Sequence, residues 1–205
     1  MKKATDTYRT LSKPSEEILF KEKKSKFFGQ AFPIENEDAV KPIVETLRKK
    51  YPGAGHVCYA WQLGVKNVAY RANDDREPNN SAGMPIYGQI QSYEVTNILV
   101  TVTRIFGGTK LGVGGLISAY RTAAQMALET SMVIEKIIQQ QFQLSFQYAD
   151  MNKVMRIIKQ KQLKILSQEM NMDCRLLISV RQDFADQTEG CFQGINSISI
   201  KKVDS

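Results

Sequence analysis

Residues 95–103 read Val-Thr-Asn-Ile-Leu-Val-Thr-Val-Thr, and this run limits the possible folds more than any other. Side chains branched at Cβ lose rotamer freedom against a helical turn but fit a pleated surface. The run therefore predicts a central strand. Five of the next residues in 107–115 are glycine (Gly107, Gly108, Gly112, Gly114, Gly115). After them, Ala119, Ala123, Ala124 and Ala127 recur at helical spacing, which predicts a long, tightly packed helix over about 116–138. A buried strand, a glycine loop and a long helix in succession point to a mixed α and β domain.

The flanking segments extend this plan. Segments 17–21 and 26–32 read as a hairpin whose turn is a lysine run: Lys21, Lys23, Lys24, Lys26. Pro33 closes its second strand. A helix opens on the acidic stretch 35–38, buries Ala39, Val40, Ile43, Val44 and Leu47 on one face, and stops at Pro52-Gly53. Strands follow at 56–63 and 68–71, then a polar loop at 73–85. Near 139–141 the composition shifts, so the predicted domains are 1–138 and 139–205. The second reads as strand 142–148, helix 150–161 with Asp150 as its N-cap, and strands 163–168, 174–180 and 197–203. The order β-α-β-β-(α)-β is ferredoxin-like. Its second helix would lie in 183–194, where the pattern supports it poorly.

With 205 residues, 42% hydrophobic and 24% charged, the chain has the apolar content of a folded globular protein. The polar first dozen residues are the one part expected to be disordered. No apolar run approaches the ~20 residues needed to cross a bilayer, and no apolar segment follows Lys2 and Lys3 to make a signal peptide. Membrane association is not expected. Three widely spaced cysteines (Cys58, Cys174, Cys191) predict no disulfide framework and a reducing, cytoplasmic setting. The net charge of +7 suits a polyanionic partner.

Three constellations could carry chemistry. In the acidic loop, Asp74, Asp75 and Glu77 could bind a hard cation or act as acid and base. Equally, they could cap a nearby helix and pair with Arg76 and Arg104. In the glycine loop, Arg104, Gly107, Gly108, Lys110, Gly112, Gly114 and Gly115 precede a helix, where backbone N–H groups favour anions. Its spacing is neither a Walker A loop nor a dinucleotide fingerprint, and the glycines could instead serve tight turns and close packing. Third, His56 and Cys58 share a strand face as a possible base and nucleophile, although an apolar strand favours an inert thiol. The ligand spacing for zinc is missing, so no metal or cofactor is expected. Lys21, Lys23, Lys24 and Lys26 could touch phosphate or form a solvated turn. Phe20, Phe27, Phe28 and Phe32 could stack bases, but their alternation assigns most of them to the core.

Taken together, Lys24-Ser25-Lys26-Phe27, His56-Val57-Cys58-Tyr59-Ala60-Trp61, Asn73-Asp74-Asp75-x-Glu77-Pro78, Ala82-Gly83-x-Pro85-Ile86, Asn97-Ile98-Leu99-Val100 and Thr103-Arg104-x-Phe106 through Leu116 resemble the YigZ/IMPACT family, collinearly over about 15–130. The resemblance implies an α+β chain. Its first domain would be a two-layer, ribosomal-protein-like α/β domain similar to domain four of elongation factor G. Its second would be a ferredoxin-like sandwich similar to domain five. That pairing implies RNA or ribosome binding in the control of translation, or a protein partner in such control. No enzymatic activity follows from it, and a hydrolase built on His56, Asp74, Asp75 and Glu77 is the alternative. Four positions depart from the family pattern: Arg76 for Gly, Asn79-Asn80 for Ser-Gly, Ile105 for Tyr and Ser118 for Arg.

Overall fold

The computed structural model describes residues 6–203. Tyr8–Lys136 form one compact unit. Ile137–Val203, with Asp6 and Thr7, form another. The elements of the first are β1 (Thr7–Leu11), β2 (Ile18–Glu22), β3 (Ser25–Pro33), α1 (Val40–Lys50), β4 (His56–Leu63), β5 (Ala69–Asn73), α2 (Gly83–Ser92), β6 (Ile98–Ile105), α3 (Gly112–Glu129) and β7 (Val133–Ile137). Those of the second are β8 (Gln139–Gln147), α4 (Met151–Gln160), β9 (Lys164–Glu169), β10 (Asp173–Arg181), α5 (Ala185–Gln193) and β11 (Ile198–Val203).

The β-branched run becomes β6, the middle of an antiparallel sheet ordered β2-β3-β6-β4-β5. Alternation sorts its side chains. Ile98, Val100 and Val102 join Phe27, Ala31, Cys58 and Ala60 under α2 and α3, where Ile86, Ala119, Tyr120, Ala123 and Ala124 complete the main core. Leu99 points the other way and packs with Trp61, Ile34 and Val40 beneath α1. Each fully buried side chain of this size contributes about 1.5–3 kcal/mol. The alanines of α3 allow a close approach to the sheet: a Cβ on Gly29 of β3 would lie 2.6 Å from the Ala123 carbonyl oxygen.

Four expectations change in the first unit. The long helix ends at Glu129, not 138. Thr130 and Ser131 hydroxyls donate to the Ala127 carbonyl, at 3.1 and 2.8 Å, and the β-branched residues beyond them form β7. That strand pairs with β1, so the polar segment 7–11 is ordered sheet where disorder was expected; residues 1–5 of that stretch lie outside the described ones. Loop 73–85 is shorter than expected because α2 begins at Gly83. Glycine loop 107–115 is also shorter, since α3 begins at Gly112 and takes Gly114 and Gly115 into its first turn.

In the second unit the sheet order is β11-β8-β10-β9, all antiparallel, as a ferredoxin-like sandwich requires. Phe142, Leu144, Leu176 and Ile178 from the sheet meet Val154 and Ile158 of α4 and Phe192 of α5. Asp150 does not cap α4 with its side chain: a 3₁₀ turn over 148–150 leads into the helix, and the carboxylate accepts from Lys153 Nζ at 2.7 Å instead. The Lys153 contact holds its pKa below the usual carboxylate value. No helix among the described residues is long and apolar enough to cross a membrane.

Candidate nucleic-acid interface

The loop from Asp74 to Ala82 links the edge strand β5 to α2, and its carboxylates are committed to the protein. Asp74 Oδ1 accepts from the N–H groups of Ala82 and Gly83 at 2.9 and 2.8 Å, and Oδ2 from Asn80 N at 2.8 Å. This carboxylate fills the empty donors at the start of α2, which has no capping side chain of its own. Asp75 Oδ2 accepts from Val57 N at 2.6 Å and from Arg48 Nη2 at 2.7 Å. Its carbonyl accepts from His56 Nδ1 at 2.8 Å, which makes Nδ1 the protonated nitrogen. Asp75 and Arg76 also stand 3.9 Å apart as an ion pair. Asp74 and Asp75 thus point to different elements. Among the described residues no three potential ligands are grouped to hold a metal ion.

Glu77 turns inward instead. Its side chain is 4% exposed, and its Oε1 accepts from Arg104 Nη1 at 2.7 Å and from the Tyr120 hydroxyl at 2.8 Å. His56 Nε2 is 3.8 Å from the same oxygen. The sheet register explains the meeting: Phe27, Arg104 and His56 lie side by side on β3, β6 and β4, on the face that α3 covers. Arg104, expected to contact phosphate, is therefore buried and already matched by an opposite charge. His56 and Glu77 do come together, whereas Asp74 and Asp75 are directed elsewhere. Cys58 Sγ lies 3.1 Å from the Asp74 carbonyl and 3.4 Å from the Tyr120 hydroxyl. Burial pushes the Cys58 thiol and the Tyr120 phenol well above their ordinary pKa values. His56 Nδ1 is bonded to the Asp75 carbonyl and Cys58 Sγ to the Asp74 carbonyl and the Tyr120 hydroxyl, so among the described residues no bond joins His56 to Cys58.

The glycine loop is built differently. A Cβ on Gly107 would lie 2.0 Å from the carbonyl carbon of Lys24, so only glycine lets the loop rest on the hairpin backbone. The contact is fixed by Gly107 N donating to Ser25 Oγ at 3.2 Å. Gly108 and Gly112 adopt positive φ of 85° and 76°, a conformation cheap only for glycine. This packing brings the loop that carries Lys110 against the hairpin that carries Lys21, Lys23, Lys24 and Lys26. All five lysines are exposed. None has an acidic partner among the described residues. Lys21 and Lys26 oppose each other across the hairpin, a like-charge pairing that costs stability. Lys23 and Lys24 form its turn at φ 44° and 67°, where Asn-Gly is the favoured pair. A hollow of about 180 Å³ separates the hairpin from the start of α3, lined by Lys23, Glu22, Phe20, Leu111, Gly115, Ser118 and Ala119.

The phenylalanines divide as alternation predicts. Phe27 is fully buried, Phe20 packs on the main core, Phe32 lies under α1, and Phe28 stacks on Tyr51 with centroids 4.4 Å apart. Sequence reasoning missed Ser25, Phe106 and Tyr120. A buried tyrosine one residue after the first alanine of the pattern carries no local mark of its partner. Ser25 could have been found, since it interrupts the lysine run with a small polar residue at an inward position.

A family model for the Impact N-terminal domain matches residues 23–128. The chain belongs to the IMPACT family. It is 30% identical to the IMPACT family member YigZ of Escherichia coli over 149 residues, 72% of this chain and 73% of that protein. It is 29% identical to the IMPACT family member YvyE of Bacillus subtilis over 156 residues, 76% and 71% of the two chains. A crystal structure of a hypothetical protein shares the fold, with TM-score 0.72 and 23% identity, covering 97% of this chain and 98% of that one.

Two of this IMPACT chain's departures from the family pattern acquire a physical meaning. Arg76 and Asn80, where the family resemblance implies glycine, both adopt positive φ, 71° and 60°. Asparagine tolerates that region. Arg76 is strained there and compensates by donating from Nη2 to the Gly55 carbonyl at 3.0 Å. Ser118, where the pattern has arginine, lines the hollow beside Lys23. Nothing in the structure explains Ile105 in place of tyrosine.

Proposed function

We propose that this IMPACT protein is a non-catalytic, cytoplasmic RNA-binding protein whose interface is the sheet end where the lysine hairpin meets the glycine loop. One observation carries the reading: five exposed lysines, none with an acidic partner among the described residues, are gathered there by a glycine contact that tolerates no side chain. Uncompensated like charge is unfavourable in the free protein and becomes favourable when phosphates neutralise it. The α3 N-terminus adds to the same side: its first turn has neither an acidic residue nor a capping side chain. The elongation-factor-G-like domains that the family resemblance implies support ribosomal RNA, and hence the control of translation, as the setting. The burial of Cys58 and the internal commitment of Asp74, Asp75 and Glu77 support a role without catalysis.

Fluorescence anisotropy with a labelled RNA across a salt series tests this. Wild type should bind at low salt and weaken steeply as salt rises. The variant Lys23→Glu/Lys24→Glu should bind about tenfold more weakly, with the salt slope reduced by about 2. Absence of RNA affinity at low salt would remove the reading.

A further inference from the structure

Lysines alone cannot tell paired from unpaired RNA, because phosphate is common to both. The residue that can discriminate here is Phe106. It follows the end of β6 and precedes Gly107, which is seated on the Lys24–Ser25 backbone. Its side chain is largely open to solvent, with the residue 52% exposed. It is also fixed from within. The Arg104 guanidinium lies 5.5 Å from the Phe106 ring centroid and equally 5.5 Å from that of Phe27. Arg104 is itself held by Glu77 at 2.7 Å and by Ser25 Oγ at 3.5 Å. Phe27 in turn meets the Tyr120 ring edge-on at 5.2 Å.

An aromatic ring positioned in this way loses little freedom on binding and has no hydrogen-bonding group of its own. What it can offer is a flat apolar face beside a cluster of phosphate-seeking lysines. A nucleobase provides the matching face only when it is neither paired nor enclosed in a helical stack.

We propose that Phe106 is a base-stacking residue, so that this surface selects single-stranded RNA over duplex. The inference rests on the RNA-binding reading above and deepens it by naming the form of the ligand. Charge supplies attraction along the backbone, and the ring supplies preference for exposed bases without reading their sequence.

The test uses the full chain with two labelled probes: an oligouridylate of about a dozen nucleotides and an RNA duplex of similar length. Wild type should prefer the single strand. Phe106→Ala should lose about tenfold in single-strand affinity with duplex affinity and salt slope unchanged, and Phe106→Trp should restore or exceed wild-type binding. A Phe106→Ala protein that binds the single strand as wild type does, or weakens equally on both probes, overturns the stacking role and leaves the lysine interface standing. Wild type that binds neither probe at low salt overturns both. Circular dichroism of each variant establishes that the fold is kept, and the exposure of Phe106 makes its loss from the fold a small perturbation.

Discussion

Two charged loops reach the neighbourhood of the same buried ion pair, and they treat their charges in opposite ways. In the acidic loop each carboxylate has its oxygen satisfied by the protein: Asp74 by the start of α2, Asp75 by Val57 and Arg48, Glu77 by Arg104 and Tyr120. On the other side, the hairpin and glycine loop expose five lysines without acidic partners among the described residues. Charge density is similar in the two segments and says little by itself. What separates a structural loop from a candidate interface is whether the polar groups are already used.

Four variants would break or sharpen this contrast. The largest effect is expected for Glu77→Ala, which leaves Arg104 charged and buried without its partner. Urea unfolding should show a loss of about 3–5 kcal/mol, and a loss below 1 kcal/mol would mean that the acidic loop is not the internal element described. Asp74→Ala removes the acceptor for three backbone N–H groups and should cost about 2 kcal/mol in the same measurement. Hydrogen exchange should then rise first at Ala82 and Gly83.

The basic side should respond with the opposite sign. Lys23→Asn/Lys24→Gly places the favoured residues in a turn with two positive φ angles, and removes two repelling charges. Stability should rise by about 1 kcal/mol while RNA affinity falls. A variant that gains stability and keeps full affinity would show that the lysines serve nothing but the turn. The smallest effect belongs to Arg76→Gly. Relief of left-handed strain outweighs the added freedom of the unfolded chain and the lost bond to Gly55, for a net gain of about 0.5 kcal/mol. RNA affinity should not move, since Arg76 lies in the committed loop.

How much of this could be read beforehand differs from element to element. Strand 56–63 was legible to the residue because an apolar run without helical period sits between turn residues. The hairpin and the helix ending at Lys50 were legible from Pro33, the lysine run and Pro52-Gly53. The helix α2 was not. It opens on Ala82-Gly83-Met84-Pro85 with no capping residue in place, because its cap is Asp74, folded back from eight residues upstream. Likewise β1 and β7 are strands only because each is the other's partner, more than a hundred residues away. In α5 the polar sequence gave little amphipathic signal, and the packing of Ala185 and Phe192 against the apolar face of the ferredoxin-like sheet decided it.

The candidate site divides along the same line. Local sequence determined which residue types were available: glycines where backbone must touch backbone, lysines in a turn, carboxylates in a loop. It determined the alternation that buries Phe27 and the branched run that makes β6 central. Only the tertiary structure decided which charges would meet. Arg104 looked like a phosphate contact by its place before the glycines, but register put it between Phe27 and His56 and under Tyr120, facing Glu77. The reason is physical. Propensity and periodicity act within a few residues, whereas the energy of a charge depends on burial and on partners that only the folded chain brings within reach.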